Sequence, residues 1–349
     1  MAIVNRAFSA ESSEDPPPLS QKPSESTLAA LNSQLKSVPL VKAFNSAENK
    51  LDQNKNARFL KIYWKGVAKC GWYGIESGAN KEYVSNYVMA WISEDGKNEI
   101  PTGIYRYRFS FQIPADAPPS FSGTFGDIQY SLNVELNRPW RWNIETQEIF
   151  KVASKACLAE MAPEMMVPSR FVMHKNSGSI FKDGVFSIEI NFPKRAYLAG
   201  ETIKASVTME NHSSKPITSL EFELIQQSHF HSRPQKTHCS LNDCLKDCPV
   251  PSKYSRDCES VLQTGFHHCY VAPHETKKVT VEVDLPWKLQ ATFESAMISM
   301  GYLVGFTVKN ASWTNNKVVC NARIVIGNET NIDGEKGFKA LEAPPPYSP

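Results

Sequence analysis

Between residues 103 and 136 the chain alternates apolar and polar positions with a period of two. Tyr105, Tyr107, Phe109, Phe111 and Ile113 carry apolar or aromatic side chains, with Arg106, Arg108, Ser110 and Gln112 between them. A loop containing Pro114, Pro118, Pro119, Ser120, Gly123 and Gly126 follows. The period then resumes, with Ile128, Tyr130, Leu132, Val134 and Leu136 on one side and Asp127, Gln129, Ser131, Asn133 and Glu135 on the other. Successive side chains of a strand point to opposite faces, so the pattern predicts two strands, each with one buried and one wet face. Such a pair cannot bury its apolar face alone, and a second sheet must cover it.

The same pattern extends in both directions. Phe59, Tyr63 and Val67 open a strand-rich region in which Trp64, Trp72, Tyr73, Tyr83, Tyr87 and Trp91 add aromatic bulk, and Gly71, Gly74 and Gly78 mark turns. A strand over residues 146–152 closes it. Residues 155–178 hold prolines and methionines without a clean period and read as a connector, the methionines as packing filler. A second series begins with Phe186, Ile188, Ile190 and Phe192. It continues through a turn at Tyr197–Glu201, where Gly200 supplies a positive φ, to Ile203, Val207 and Met209. Leu220, Phe222 and Leu224 make a further strand, as do Val279, Val281, Val283 and Leu285. Two more follow: Ile298, Met300, Tyr302, Val304, Phe306 and Val308, then Cys320, Ala322, Ile324 and Ile326. No period holds between residues 226 and 262. Residues 1–56 are rich in Ser, Pro, Glu and Lys and read as a disordered arm. The expected fold is all-β: two tandem immunoglobulin-like β-sandwiches over residues 57–153 and 180–327, a linker at 154–179, and a flexible tail at 328–349.

Composition narrows the function classes. With 38 basic and 36 acidic residues in 349, a net charge of +2 sets up no field that demands nucleic acid or an anionic surface. No run of 18 apolar residues is present, so no transmembrane segment is expected. The first residues lack the apolar core of a signal peptide, which points to a cytoplasmic chain. In that compartment the eight cysteines read as thiols or metal ligands rather than a disulfide framework. No G-x-S-x-G, H-E-x-x-H, C-x-x-C or glycine-rich phosphate loop occurs, so the sequence offers no catalytic residues.

Two stretches carry candidate chemistry. Pro344, Pro345, Pro346 and Tyr347 form a Pro-Pro-x-Tyr sequence. Consecutive prolines preset a polyproline II helix, the shape that the aromatic groove of a WW domain accepts, with the tyrosine filling an adjoining pocket. The alternative is a proline-rich terminus with a chance tyrosine. The second stretch places Cys239, Cys244, Cys248, Cys258 and Cys269 among His229, His231, His238, His267, His268 and His274. Thiolates and imidazoles suit zinc, and Cys239, Cys244, Cys248 and Cys258 are the first candidates for a structural site. Reduced thiols and a redox-labile disulfide are the alternatives.

As a set, several motifs resemble the alpha-arrestins, the arrestin-domain-containing proteins. In the first half these are Pro101-Thr-Gly103, Phe109-Ser-Phe111-Gln-Ile-Pro114, Pro119-Ser-Phe121-Ser-Gly123 and Gly126-Asp-Ile128-Gln-Tyr130. In the second half they are Tyr197-Leu-Ala-Gly200-Glu201-Thr-Ile203, Asn211-His-Ser213 and Ile324-Val-Ile326-Gly327. The resemblance implies two arrestin-like sandwiches and a non-catalytic adaptor. Such an adaptor links membrane-protein cargo, through its cytoplasmic segments, to a WW-domain HECT-type ubiquitin ligase for ubiquitination and endocytosis. It further implies recruitment to the plasma membrane and endosomes. The family's first domain opens with a strand pair bearing a Tyr-x-x-Gly-Glu turn. No glycine precedes Gly66 here, which predicts that the first sandwich lacks its opening strands, the alternative being that the arm replaces them by a different route. The competing function is a metal- or redox-responsive binding protein built around the Cys/His-rich residues 229–274.

Overall fold

The computed structural model describes residues 2–3, 43–51, 55–74, 78–94, 96–178, 183–233, 248 and 250–328. The early strands are β1 (Ala2–Ile3), β2 (Ala43–Leu51), β3 (Lys55–Asn56), β4 (Phe59–Cys70), β5 (Ala79–Ile92) and β6 (Glu99–Ile100). After them come β7 (Gly103–Phe111), β8 (Phe121–Gly123), β9 (Gly126–Asn137), β10 (Ile144–Phe150) and β11 (Val152–Ala153). A short helix α1 (Leu158–Met161) and a 3-10 turn (Pro163–Met165) lead to β12 (Ser169–Asn176), β13 (Gly184–Phe192), β14 (Ala196–Leu198) and β15 (Thr202–Ser213). The remaining strands are β16 (Ile217–His231), β17 (Ser255–Val271), β18 (Thr276–Asp284), β19 (Ile298–Asn310) and β20 (Lys317–Gly327). Among the described residues, no helix is long and apolar enough to cross a membrane.

The chain divides into two compact units, and the division is not a single cut. The first unit comprises Met1–Ser154, Ser228–Cys258 and Phe293–Ser299; the second comprises Lys155–Gln227, Glu259–Thr292 and Met300–Pro349.

In the first unit a sheet runs in the order β10-β9-β4-β5, with β8 added to β9, and β2 pairs with β7. The two layers meet through aromatic rings. Phe111 at the end of β7 lies 5.2 Å from Trp64 of β4 and 5.7 Å from Phe150 of β10, centroid to centroid. On β9 the predicted face is the buried one, with Ile128, Tyr130, Leu132 and Leu136 all inside. On β4, Leu60, Ile62, Trp64, Ala68 and Cys70 are buried, whereas Phe59, Tyr63 and Val67, which marked the strand in the sequence, are half-exposed. That strand carries apolar atoms on both faces, because Lys61 and Lys65 lay their ammonium groups over Tyr63 on the outer side. Alternation alone could not choose between the faces.

Residues 1–56 are not wholly an unstructured arm. β2 lies within them and pairs along the length of β7, from Ala43 opposite Phe111 to Leu51 opposite Gly103. A strand thus precedes residue 57, where the missing glycine turn had predicted none. Ala43-Phe-Asn-Ser-Ala-Glu-Asn-Lys-Leu51 is too polar to show a period, and the β7 backbone supplies the ladder that its composition does not announce.

In the second unit β12-β13-β15-β18 form one sheet, and the other runs β14-β20-β19-β16-β17. Phe192 of β13 and Phe306 of β19 meet edge-to-face at 6.1 Å between these layers. The stretch 154–179, expected as a linker, is part of this unit from residue 155 onward. Leu158, Ala162 and Met165 bury against Ala196 and Val325, and β12 pairs with β13 from Ser169–Phe192 to Asn176–Val185. β12 is an edge strand with mostly exposed side chains, so its sequence shows no alternation. Likewise β16 and β17 extend into the two ends of the stretch 226–262, which had no readable period.

The motifs that carry the family resemblance are turn and packing devices. Gly200 sits at φ +85°. Beside it the Glu201 carboxylate accepts from the Leu198 N–H (3.0 Å) and from Lys194 Nζ (2.9 Å), while Tyr197 Oη donates to the Lys194 carbonyl (2.5 Å). Asn211 is fully buried. Its Nδ2 donates to the carbonyls of Lys215 (2.9 Å), Val271 (3.2 Å) and Ala272 (3.1 Å), and its Oδ1 accepts from Ser213 N (3.1 Å) and Oγ (2.7 Å). In the first unit Tyr130 Oη donates to the Pro118 carbonyl (2.6 Å), and Ser120 Oγ accepts from Val152 N (2.9 Å).

Gly66 lies cross-strand from Tyr130, at a register shift between β4 and β5. A Cβ there would enter the edge of the Tyr130 ring and approach Val84 Cγ1 to 2.8 Å. Gly66→Ala should therefore destabilise the first unit by about 1–3 kcal/mol through overpacking, read from the denaturant midpoint. Asn211→Ala leaves several buried carbonyls and the Ser213 donors without their partner, and should cost about 3 kcal/mol, read the same way. An unchanged midpoint in either variant would contradict these packing roles.

Candidate functional site

The last residues of β16, from Gln227 to His231, are all buried. Both faces of the strand are covered there. Phe230 points one way and packs edge-to-face on Phe125 at 5.7 Å and tilted on Phe121 at 6.3 Å. His229 and His231, two positions apart, point the other way together, with ring centroids 4.6 Å apart and planes near perpendicular. The His231 N–H donates to the Met297 carbonyl (2.8 Å), which anchors the strand end.

The ring nitrogens of the two histidines are held by different acceptors. His229 Nδ1 lies 2.5 Å from Asp257 Oδ1, and His231 Nδ1 lies 3.3 Å from the Ala296 carbonyl oxygen. A carboxylate and a carbonyl can only accept, so each Nδ1 carries the proton and donates. The two Nε2 atoms then face each other at 2.8 Å, and Cys248 Sγ lies 3.4 Å from His231 Nε2. His229 Nε2, His231 Nε2 and Cys248 Sγ all fall within 4.8 Å of one another. Burial, and secondarily the neighbouring His229, hold the His231 imidazole below its ordinary pKa. Two imidazoles and one thiol converge with lone pairs inward, which is a donor set for a borderline-soft cation.

The structure thus brings together one of the four cysteines expected to bind metal. Cys248 belongs to the cluster. Cys258 does not, and its Sγ lies 3.4 Å from Thr124 Oγ1 instead. Cys239 and Cys244 lie outside the described residues, as do Pro344, Pro345, Pro346 and Tyr347. Among the described residues the donors that converge are His229, His231 and Cys248. Sequence reasoning ranked thiols by spacing and read the region as a loop. The available signal was His-x-His at strand spacing, legible only once residues 226–231 are seen as a strand. Farther along the chain, Cys269 is buried with its Sγ 3.7 Å from Met209 Sδ, a packing contact.

Two family descriptions match the chain: "Arrestin (or S-antigen), N-terminal domain" over residues 48–159 and "Arrestin (or S-antigen), C-terminal domain" over residues 182–331. Among curated proteins the chain is similar to Arrestin domain-containing protein 17 of Caenorhabditis elegans, 27% identical over 218 residues, covering 57% of this chain and 50% of that one. It is also similar to Arrestin domain-containing protein 15 of the same organism, 24% identical over 190 residues, covering 50% and 47%. Human Arrestin domain-containing protein 1 is 25% identical over 150 residues, covering 40% and 34%. The aligned part of this chain spans half or less of the length of these relatives.

Cys70 provides a check on the first unit. It is buried, its Sγ 3.7 Å from the Met297 carbonyl oxygen, and burial pushes its thiol up to about 12. Because the folded value lies above the unfolded one, the neutral thiol's contribution is complete below the unfolded pKa and is lost as pH rises toward 12. Alkylation of the native protein at pH 8, mapped by mass spectrometry, should spare Cys70, and unfolding in denaturant should expose it. Equal labelling before and after unfolding would contradict the burial.

Proposed function

The chain belongs to the arrestin family, whose proteins are adaptors, and on that premise we propose that it is a non-catalytic adaptor linking membrane-protein cargo to a WW-domain ubiquitin ligase of the HECT type. The observation that carries this reading is the coincidence on one chain of both arrestin domains and a Pro-Pro-x-Tyr sequence at residues 344–347. The motif follows the last strand, which ends at Gly327, by a polar stretch. Pro344, Pro345 and Pro346 fix φ near −65°, so docking in a WW groove orders little additional backbone. Tyr347 adds the large group with an apolar ring and a polar tip. The cargo contacts are cytoplasmic segments of membrane proteins, and the working location is the cytoplasm with recruitment to the plasma membrane and endosomes. A metal-responsive role at His229, His231 and Cys248 adds to the adaptor rather than competing with it.

One short motif buries little surface, so its affinity for a single WW domain should be on the order of micromolar to tens of micromolar. Tyr347→Ala in the full chain should remove nearly all WW binding in a titration and leave the far-ultraviolet circular dichroism unchanged. Phosphorylation of Tyr347 should act in the same direction, because a doubly charged group does not enter an aromatic pocket. Equal binding by the Tyr347→Ala and unaltered chains would remove the tail as the recruiting element.

A further inference from the structure

We propose that His229, His231 and Cys248 bind one zinc ion, which staples the end of β16 to the segment leading into β17. Geometry carries the proposal. With each Nδ1 committed as donor, to Asp257 and to the Ala296 carbonyl, both Nε2 atoms present lone pairs across 2.8 Å. Two facing lone pairs repel. A cation between them turns the contact into an attraction, as a proton on one ring would. Cys248 Sγ completes a triangle of donors on the same point.

The distances suit zinc. Bonds of 2.0–2.1 Å to nitrogen and 2.3 Å to sulfur at tetrahedral angles separate two nitrogens by about 3.3 Å and a nitrogen from a sulfur by about 3.6 Å. The 3.4 Å between His231 Nε2 and Cys248 Sγ is already close to that, the histidine pair needs to open by about half an ångström, and Cys248 Sγ, within 4.8 Å of His229 Nε2, has to close on it by up to about 1 Å, a side-chain adjustment. The outer shell is also that of a metal site. One ligating histidine donates its other ring N–H to a carboxylate and the second to a backbone carbonyl, which fixes tautomer and ring plane in advance.

The ion would join elements far apart along the chain. His231 and Cys248 are 17 residues apart, Asp257 comes from the start of β17, and Ala296 comes from the stretch just before β19. Binding releases the Cys248 thiol proton to solvent and leaves the zinc oxidation state unchanged. Three protein donors leave the fourth tetrahedral position to water or a further side chain. The effect of the ion is to tie the end of β16 to Cys248.

The test uses the reduced full-length chain. After equilibration with zinc and gel filtration, elemental analysis should give one zinc per chain, and X-ray absorption should show two nitrogen neighbours and one sulfur neighbour. Cobalt in place of zinc should give a thiolate-to-metal charge-transfer band. Cys248→Ser should abolish that band, and Cys258→Ser should leave it intact. Asp257→Asn, which touches the metal only through His229, should weaken affinity roughly 10- to 100-fold while retaining the band. Absence of bound zinc would overturn the proposal and leave an imidazole pair sharing a proton. A sulfur-only shell, or a cobalt band that survives Cys248→Ser, would overturn it in favour of other cysteines. The absorption measurement on the unaltered chain decides the matter even if Cys248→Ser fails to fold.

Discussion

A sheet with one apolar face has to be covered, and both units of this protein are organised by that requirement. In the first, the inward residues of β4 and β9 are closed off where Phe111, Trp64 and Phe150 meet. In the second, Phe192 and Phe306 make the same closure between the sheets. Each aromatic or branched side chain so buried contributes about 1.5–3 kcal/mol relative to exposure. The contribution requires correct register, because a slip of one residue would turn the whole apolar set outward. Register is where the polar motifs enter. Glu201 fixes the turn after β14 through the Leu198 N–H, Ser120 ties β8's approach to β11 through Val152, and Asn211 joins the end of β15 to the β17–β18 connection through the carbonyls of Val271 and Ala272.

The residues by which the family is recognised in this chain are therefore consumed by the fold. Tyr197, Gly200, Glu201, Asn211, Ser120 and Tyr130 make intramolecular bonds or turns. Under the proposed adaptor role, partner contacts fall to segments that the sheets do not need. Such segments can vary without disturbing the closure of either sandwich.

How much of this was legible in the sequence follows from the same physics. Strands with a period of two in their sequence declared themselves: β7, β9, β13, β15, β18, β19 and β20 all lie where alternation placed them. β4 was found as a strand but not which of its faces turns inward, since Tyr63, covered by Lys61 and Lys65, gives the outer surface an aromatic character of its own. β2 and β12 went unseen because one is polar and the other an exposed edge; both exist through the ladder offered by a neighbour, which no local pattern encodes. The end of β16 and the start of β17 were taken for loop for opposite reasons: both faces of β16 are covered there, so polar and apolar residues are buried in succession, whereas β17 begins with mostly exposed residues. The histidine pair was hidden by that same error, and the cysteines drew attention because thiols are recognisable without knowledge of the strand.

Burial of that pair asks for a reason beyond packing. Phe230 already fills one side of the β16 end against Phe121 and Phe125. Two imidazoles on the opposite side bring ring nitrogens into a site with little water, each of which costs free energy unless bonded. The chain meets that demand at both Nδ1 positions, with a carboxylate for His229 and a carbonyl for His231. If stability alone set these positions, apolar residues of similar volume would serve as well without any demand for partners. The Asp257 and Ala296 contacts fix the tautomer and ring plane of each histidine, so that both Nε2 atoms and the Cys248 thiol face one point, which is the arrangement expected of a preformed site.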